Sequence, residues 1–458
     1  MAVIVGAGPS GLLLAHLLLD CAAEKDSLRG LLPVRIFEAR DDPRIPLPLY
    51  KTRQYCVGLS ARGRDAISRV DGLWTEVEKQ GVPSSQFVLH IGGRAIALKR
   101  NPDKPSLLVN QRSLAAVLVK ELQKRYSQKQ VQVIYGARCV GVDFNSRAVE
   151  FRLKGDETMQ VPYDLLVGAD GARSVVREAF IRERGFDFQQ VNTPYTFKVL
   201  HVPRPAELSD DAVHSFRVVT KKDSGDCNCP IRFFFEFAYV TGSTSINFGC
   251  FPTPGDGMSV LLGWSPETEP KDLLQIQNAQ ELQSYVEKYM PPLSVPLEAA
   301  EAFISQRPSS SMQVSCSRFY AEKGRAVLIG DAAHAMSNAL GQGCNSSLKD
   351  VDTFTRMLVE EGDVVSAMKR YSTQQVKEDH AAAYLSQNAF PESKWLRPAY
   401  LLGNIVTAGL SKTPLSALIP PSIQSLCSET LIPYSEIVNR NKFWLKLVEV
   451  TNLLSAKE

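Results

Sequence analysis

The sequence predicts an α/β protein in which a parallel-sheet domain is interrupted by an inserted, mostly antiparallel β-sheet and followed by a helical C-terminal tail. Three observations predict it. Two glycine-rich turns about 320 residues apart, Gly6-Ala7-Gly8-Pro9-Ser10-Gly11 and Gly330-Asp331-Ala332-Ala333-His334, each follow a short continuous apolar run and precede a helical one. Such runs are the mark of strands buried on both faces. Between 183 and 305 the texture changes to β-rich segments separated by Gly, Pro, Ser, Thr and Asp, and beyond 345 it turns helical.

At 458 residues the chain buries a large core and divides into two or more domains. A hydrophobic fraction of 44% with 22% charged residues is that of a globular protein. Lys plus Arg at 52 against Asp plus Glu at 49 leaves a net charge of +3, so no basic surface argues for nucleic acid. The nine cysteines are scattered, and the close pair Cys227 and Cys229 has no companions at zinc-ligand spacing. They read as free thiols of an intracellular, reducing compartment, cytoplasmic or organellar, and no metal is expected. Because the chain starts directly in a core strand, no targeting peptide is expected. The apolar stretch from Leu401 to Leu410, with Leu415 to Ile419 after Pro414, is too short and interrupted to cross a bilayer. Packing against the body is the first reading of it, and peripheral membrane contact through this C-terminal region is the alternative.

The first turn lies between Ala2-Val3-Ile4-Val5 and Leu12-Leu13-Leu14-Ala15, the setting in which a dinucleotide's pyrophosphate meets a helix N-terminus. Glycine permits the tight turn and the close approach of phosphate, so Gly6, Gly8, Ser10 and Gly11 are the expected contacts. A second buried strand, Val34-Arg35-Ile36-Phe37, ends in Glu38 and is followed by Arg40. A carboxylate there accepts both hydrogen bonds of an adenosine ribose, which fits FAD or NAD and disfavours NADP at this site. The alternative is that Glu38 merely ends a surface strand. Gly11 to Glu38 spans 27 positions, and the polar Glu24-Lys25-Asp26-Ser27 reads as a loop insertion.

Asn110-Gln111-Arg112 opens an apolar helix from Leu114 to Leu122, and Arg112 in its first turn is placed to bond phosphate or flavin oxygens, or else is a surface arginine. Val131 to Tyr135 and Ala148 to Leu153 read as strands. Then Leu165-Leu166-Val167-Gly168-Ala169-Asp170-Gly171 repeats the strand and glycine turn, and a helix start carries Ser174 and Arg177. That charged trio of Asp170, Ser174 and Arg177 points to hydrogen-bond bracing as well as cofactor contact. In the insert, Arg232 to Phe237, Ser245 to Phe251 and Ser259 to Trp264 are strands whose phenylalanines, Phe235 and Phe237 among them, form core or roof a cleft. After the strand Ala326-Val327-Leu328-Ile329 the second turn places Asp331 where a helix begins and runs on to Gly341-Gln342-Gly343. Helices are expected over Leu348 to Leu358 and Val364 to Tyr371. Two strand-turn-helix junctions grip one long cofactor from both ends, which suits FAD better than NAD, so the domain reads as Rossmann-like and FAD-binding.

Together, Gly6 to Gly11, Gly168-Ala169-Asp170-Gly171 with Ser174 and Arg177, and Gly330 to His334 resemble the three signature motifs of the single-component FAD-dependent aromatic hydroxylases. The chain looks most like the kynurenine monooxygenases, through Leu59-Ser60-Ala61-Arg62-Gly63-Arg64, Gly341-Gln342-Gly343-Cys344-Asn345, Asp379-His380-Ala381 and Pro433-Tyr434-Ser435-Glu436. The resemblance implies non-covalent FAD, with NADPH or NADH and O2 as co-substrates. It implies that Asp170 meets cofactor, that Asp331, Gly341, Gly343 and Asn345 hold the ribityl chain and flavin ring, and that Asn338 and Leu340 border the substrate. Asp331 has helix capping as its plain alternative, and His334 reads as a packed turn residue rather than a proton donor.

The activity implied is hydroxylation of a small aromatic molecule, with oxygen delivered from a flavin peroxide. Departures fall on the substrate side. Where the kynurenine enzymes carry an arginine ahead of a Met-Ile-His-like segment, this chain reads Phe87-Val88-Leu89-His90, and their Tyr-Asn-Tyr element is Asn388-Ala389-Phe390. A substrate other than kynurenine is therefore expected. Asn338, where the family usually has proline, keeps open a flavin-binding scaffold with little turnover, and the same motifs occur in halogenases and reductases. The expected organisation is an FAD-binding domain over 1–182, interleaved with substrate-domain strands near 50–110, and a mainly β substrate domain over 183–305. The second part of the FAD-binding domain follows over 306–385, and a helical C-terminal region over 386–458.

Overall fold

A computed structural model describes the chain apart from residues 53, 92–93, 100, 102, 220–244, 392, 394–395, 397–398, 401–402, 404–420 and 456–458. The strand expected over Arg232 to Phe237, with Phe235 and Phe237, lies outside the described residues, as do Cys227, Cys229 and most of the apolar stretch from 401 to 419.

The apolar runs form one parallel sheet in the order Ala326–Leu328, Leu165–Gly168, Ala2–Val5, Val34–Glu38, Val131–Tyr135, with a two-residue antiparallel strand Tyr320–Ala321 at its edge. The register aligns the carboxyl ends, with Val5 opposite both Gly168 and Phe37, and Gly168 opposite Leu328. Ala2, Val3, Ile4, Leu165, Leu166 and Val167 are 0% exposed: helix Pro9–Glu24 packs on the sheet, and so does a three-stranded antiparallel sheet of Arg138–Asp143, Ala148–Arg152 and Thr158–Pro162, whose Phe151 ring stacks on Phe37 at 4.0 Å. Helix Pro9–Glu24 starts with Gly8 in extended backbone and Pro9 at its first position, where no N–H is needed. Asn110 caps helix Gln111–Arg125 by accepting from the Arg112 amide.

The stretch read as a loop insertion is instead the end of that first helix and a 3-10 turn over Asp26–Leu31. Its polar side chains serve another helix end: Lys25 Nζ donates to the carbonyl of Val359, and Ser27 Oγ donates to that of Gly362 at 2.9 Å. These satisfy the terminal carbonyls of helix Gly343–Glu361.

A second, seven-stranded sheet has the order Ser309–Cys316, Phe188–Pro203, Gly257–Trp264, Ser245–Thr253, Ala212–Val219, Gln86–Ile91, Arg94–Lys99. It is antiparallel except where Gln86–Ile91 runs parallel to Ala212–Val219. Helices Ala279–Tyr289 and Leu297–Ser305 cover one face, burying Leu262, Trp264, Leu282 and Phe303 together. The expected helices near 348 and 364 are longer, Gly343–Glu361 and Val364–Asn388. Helices Ile423–Glu429 and Tyr434–Arg440 pack a third core against the second of these. The last described helix, Lys442–Ser455, buries Leu445 and Val448 and turns Phe443, Leu447 and Leu454 outward. No helix among the described residues is long and apolar enough to cross a membrane.

Candidate cofactor and active site

Four loops leave adjacent carboxyl ends of the parallel sheet, and they converge. A Cβ at Gly6, where φ is +106°, would lie 2.3 Å from the Ala169 carbonyl oxygen and 3.1 Å from Asp170 Cα. One at Gly11 would lie 2.1 Å from the Gly6 carbonyl oxygen, and one at Gly330 would lie 3.4 Å from Ser10 Oγ. The three glycine turns are thus in mutual contact. By contrast, a Cβ at Gly8, Gly171 or Gly341 would meet nothing within 4 Å. Glycine is needed at Gly6 and Gly11 for packing of the protein on itself, whereas Gly8 borders open space at a helix N-terminus, where an anion is favoured.

Glu38 and Arg40 are brought to the same place. Glu38 is 6% exposed; it accepts the Ala7 amide at 2.9 Å, the Arg40 amide at 2.9 Å, and Arg40 Nε and Nη2 at 2.9 and 3.2 Å. Burial raises the pKa of this carboxyl, but the Arg40 guanidinium and the two amides outweigh it and hold the group below its ordinary value. Four donors fill the acceptor sites of the carboxylate, three of them from Arg40, whose side chain is 64% exposed.

Arg112 starts its helix as expected, but its guanidinium donates to the carbonyls of Asp42 at 3.0 Å and Ile45 at 2.8 Å, bracing the loop after Arg40. Asp170 accepts Ser174 Oγ at 2.5 Å and the amides of Val175 and Val176 at 2.8 and 3.2 Å, while Ser174 caps helix Val175–Phe180. Arg177, 1% exposed, donates to the carbonyls of Ala172 at 2.8 Å and Ala332 at 2.9 Å and to Gln190 Oε1 at 2.6 Å. It ties the second turn to the third.

In that third turn Gly330, Ala332, Ala333 and His334 are buried and Asp331 is exposed at the start of helix Asp331–His334. His334 is packed in the turn as expected, and its partners Asp350 and Asp379 were not found from sequence. Asn345 is 0% exposed and spends its side chain on the protein, donating to the carbonyls of Gly58 at 2.8 Å and Gly341 at 3.0 Å and accepting the Ser60 amide at 2.8 Å. It clamps strand Cys56–Leu59 to the Gly341–Gly343 turn. The amides of Gly343, Cys344 and Asn345 open a helix, whose first N–H groups have no carbonyl within the helix to bond. Gln342 accepts the Tyr434 hydroxyl at 3.0 Å, and the Arg62 guanidinium lies 4.1 Å over the Tyr434 ring.

Of the expected pocket residues, Asn338 is exposed beside the turn, while Leu340 is 5% exposed and belongs to the tail core with Met336, Leu385 and Leu426. A residue missed by sequence reasoning marks the seam between the antiparallel sheet and a small sheet of Cys56–Leu59, Ser106–Asn110 and Gly81–Ser84. The Tyr55 ring stands edge-on to Phe197 at 5.9 Å, and the next residue, Cys56, places Sγ 3.7 Å from Ser259 Oγ on the antiparallel sheet. Burial, helped by the charges of Asp331 and Cys344, pushes the Tyr55 phenol up to about 12, so it stays a neutral donor. Nothing local in Gln54-Tyr55-Cys56 signals this.

The arrangement fits FAD. Asp331 and Glu38 follow strands three places apart in the parallel sheet, roughly 14 Å at ~4.8 Å per strand, with the open groove beside Gly8 and Gly171 between. That span suits an extended dinucleotide better than a single phosphate.

A family model described as an FAD binding domain matches residues 1–375. Violacein synthase of Chromobacterium violaceum is 27% identical over 98% of this chain and 99% of its own length. A kynurenine 3-monooxygenase of Salinispora tropica is 26% identical over 96% of this chain and 90% of its own. The crystal structure of 2-methyl-3-hydroxypyridine-5-carboxylic acid oxygenase shares the fold, with a TM-score of 0.62 at 18% identity over 90% of this chain and 94% of that one. With the family model spanning most of the chain and monooxygenases on both the sequence and the structure side, the chain belongs to the FAD-binding monooxygenase family.

Proposed function

We propose that the protein uses FAD, NAD(P)H and O2 to hydroxylate a small aromatic substrate other than kynurenine. The observation that carries the FAD reading is the convergence of the three glycine turns around space that a Gly8 side chain would enter. FAD supplies the redox and oxygen chemistry when bound, and the chain's own residues position and shield. The Gly8 and Gly171 turns receive the pyrophosphate, Glu38 the ribose, Asp331 and the first amides of helix Gly343–Glu361 the ribityl chain and ring. Phe197 of the antiparallel sheet meets Tyr55 and covers this end, and such apolar cover keeps water from the reacting centre.

Two features support a substrate that is not kynurenine. Phe87, opposite Val213 in the parallel-paired strand, stands where a carboxylate-gripping arginine would, and Asn388 donates its amide to the Tyr384 carbonyl at 3.0 Å. Loss of a buried arginine–carboxylate pair removes about 2–5 kcal/mol of binding. The test is a screen of NADPH and NADH consumption against phenols, anilines, indoles and quinoline-type acids, with peroxide release followed in parallel. Coupled, substrate-stimulated turnover of one class is expected. Efficient turnover of kynurenine overturns the substrate reading, and no stimulated turnover with any compound favours a flavin-binding scaffold.

A further inference from the structure

Behind the third glycine turn lies a cluster that the cofactor reading leaves unused. His334 Nε2 is 2.5 Å from Asp350 Oδ2 and 3.3 Å from Asp379 Oδ2, and the three side chains are 1%, 0% and 0% exposed. Asp350 Oδ2 also accepts the Gly330 amide at 2.9 Å. Asp379 uses its other oxygen, which accepts the Ser346 hydroxyl at 2.7 Å and the Gln375 amide at 3.4 Å. The 2.5 Å separation is that of a strong hydrogen bond; two ligands at ~2.0 Å from a zinc ion in tetrahedral array stand ~3.3 Å apart, so a proton rather than a metal joins His334 to Asp350. Burial lowers the His334 pKa, but the two carboxylates outweigh it and raise it from 6.5 to about 10. Burial and the Asp350 charge likewise push the Asp379 carboxyl well above its ordinary value.

The single oxygen of Asp350 thus holds the turn on both sides of Asp331, by the amide of the residue before it and by the side chain three residues after it. Arg177 adds a third hold on the Ala332 carbonyl at 2.9 Å. At Gly330 φ is +64° and a Cβ would lie 2.9 Å from Ser347 Cβ, so the backbone there has little freedom. Within Gly330 to His334, Asp331 alone faces outward.

We propose that Asp350 is a positioning residue for FAD: bonded to the Gly330 amide and to the His334 ring, it fixes the outward placement of Asp331, and its effect on the cofactor passes through that carboxylate. Removing its charge while keeping its shape loosens the turn without emptying the core. This rests on the reading that Asp331 binds FAD.

The test is a double-mutant cycle in apoprotein titrated with FAD, using Asp331→Ala, Asp350→Asn and the pair. Asp331→Ala is expected to raise the dissociation constant for FAD, and Asp350→Asn to raise it about 10- to 100-fold, the range for losing one charge-assisted hydrogen bond. The double variant binds no more weakly than Asp331→Ala alone. Asp379→Asn, which leaves both bonds to Asp350 in place, stays within about threefold of wild type, a span well under the tenfold step of 1.4 kcal/mol. The midpoint potential of bound flavin shifts in Asp350→Asn and not in Asp379→Asn. Additive losses in the cycle, or unchanged affinity in Asp350→Asn, overturn the inference while the Asp331 reading stands. Unchanged affinity in Asp331→Ala overturns both. If Asp350→Asn yields no folded apoprotein, His334→Leu, which keeps the bulk but removes the donor to Asp350, takes its place in the same cycle with the same expected outcomes.

Discussion

Replacing Gly8 by valine separates cofactor binding from folding. Gly8 has φ −73° and ψ 176°, extended backbone that a β-branched residue adopts readily, and a Cβ there meets no protein atom within 4 Å. Unfolding free energy is therefore expected to change by no more than ~0.5 kcal/mol, as for a substitution away from packed features. The new side chain instead stands where phosphate would approach the amides that open helix Pro9–Glu24. Two charge-assisted hydrogen bonds lost at ~1.5–3 kcal/mol each amount to about 3–6 kcal/mol, or ~10²- to 10⁴-fold in dissociation constant. The measurements are the flavin absorbance of the purified protein relative to its protein absorbance, FAD titration of apoprotein by fluorescence quenching, and thermal unfolding of both apoproteins. Gly11→Ala is the contrasting variant, because its Cβ would sit 2.1 Å from the Gly6 carbonyl oxygen and must disrupt the turn itself. Gly8→Val that stays yellow with wild-type affinity refutes the placement. A Gly8→Val protein as unstable as Gly11→Ala refutes the claim that the space is reserved for a ligand.

Arg177→Ala is expected to lower stability by about 3 kcal/mol, since the buried guanidinium leaves a void and three acceptors, the buried Ala332 carbonyl among them, lose a charged donor, and a melting temperature within a degree of wild type contradicts that. Asn345→Ala removes three bonds clamping strand Cys56–Leu59 to the glycine turn, so flavin content and melting temperature fall together; loss of neither contradicts the clamp. His16 and His201 are buried and neutral, with burial as the main cause of pKa values lowered from 6.5 to about 4. Their folded pKa lies below the unfolded one, so the stability they contribute is complete above pH 6.5 and is lost as pH falls towards 4, by about 3 kcal/mol each. Denaturant titrations at pH 7, 5.5 and 4.5 should show this fall, and His201→Asn should reduce its slope; a flat profile contradicts neutral burial.

The cofactor turns were legible in the sequence because each is local: an apolar run, glycines and a helix start within about ten residues report on one strand end. Their mutual contact was legible as well, since parallel strands align their carboxyl ends. What the side chains do there was less so. Arg112 was placed correctly at its helix start, yet its bonds run to carbonyls of a loop 67–70 residues away, which no spacing encodes. Asp350 and Asp379 meet His334 across 16 and 45 residues through the packing of two helices; Asp350 reads in sequence as one more polar residue, and Asp379 stood out only within the resembling stretch Asp379-His380-Ala381, with no sign of its partner. The loop insertion misread over Glu24 to Ser27 has the same origin, because its polar residues answer to a helix end over 330 residues away.

The order of strands across the parallel sheet has a consequence for how the molecule is made. A ribosome that has emitted the first 180 residues has already supplied four of the five parallel strands, yet the place between the first and third glycine turns stays open until Ala326–Leu328 docks beside Leu165–Gly168. Until then the edge of Leu165–Gly168 is unpaired, an invitation to mispairing during synthesis. Capture of the nucleotide is thereby a late event, coupled to release of nearly the whole polypeptide, and amino-terminal fragments ending before residue 326 are expected to emerge colourless.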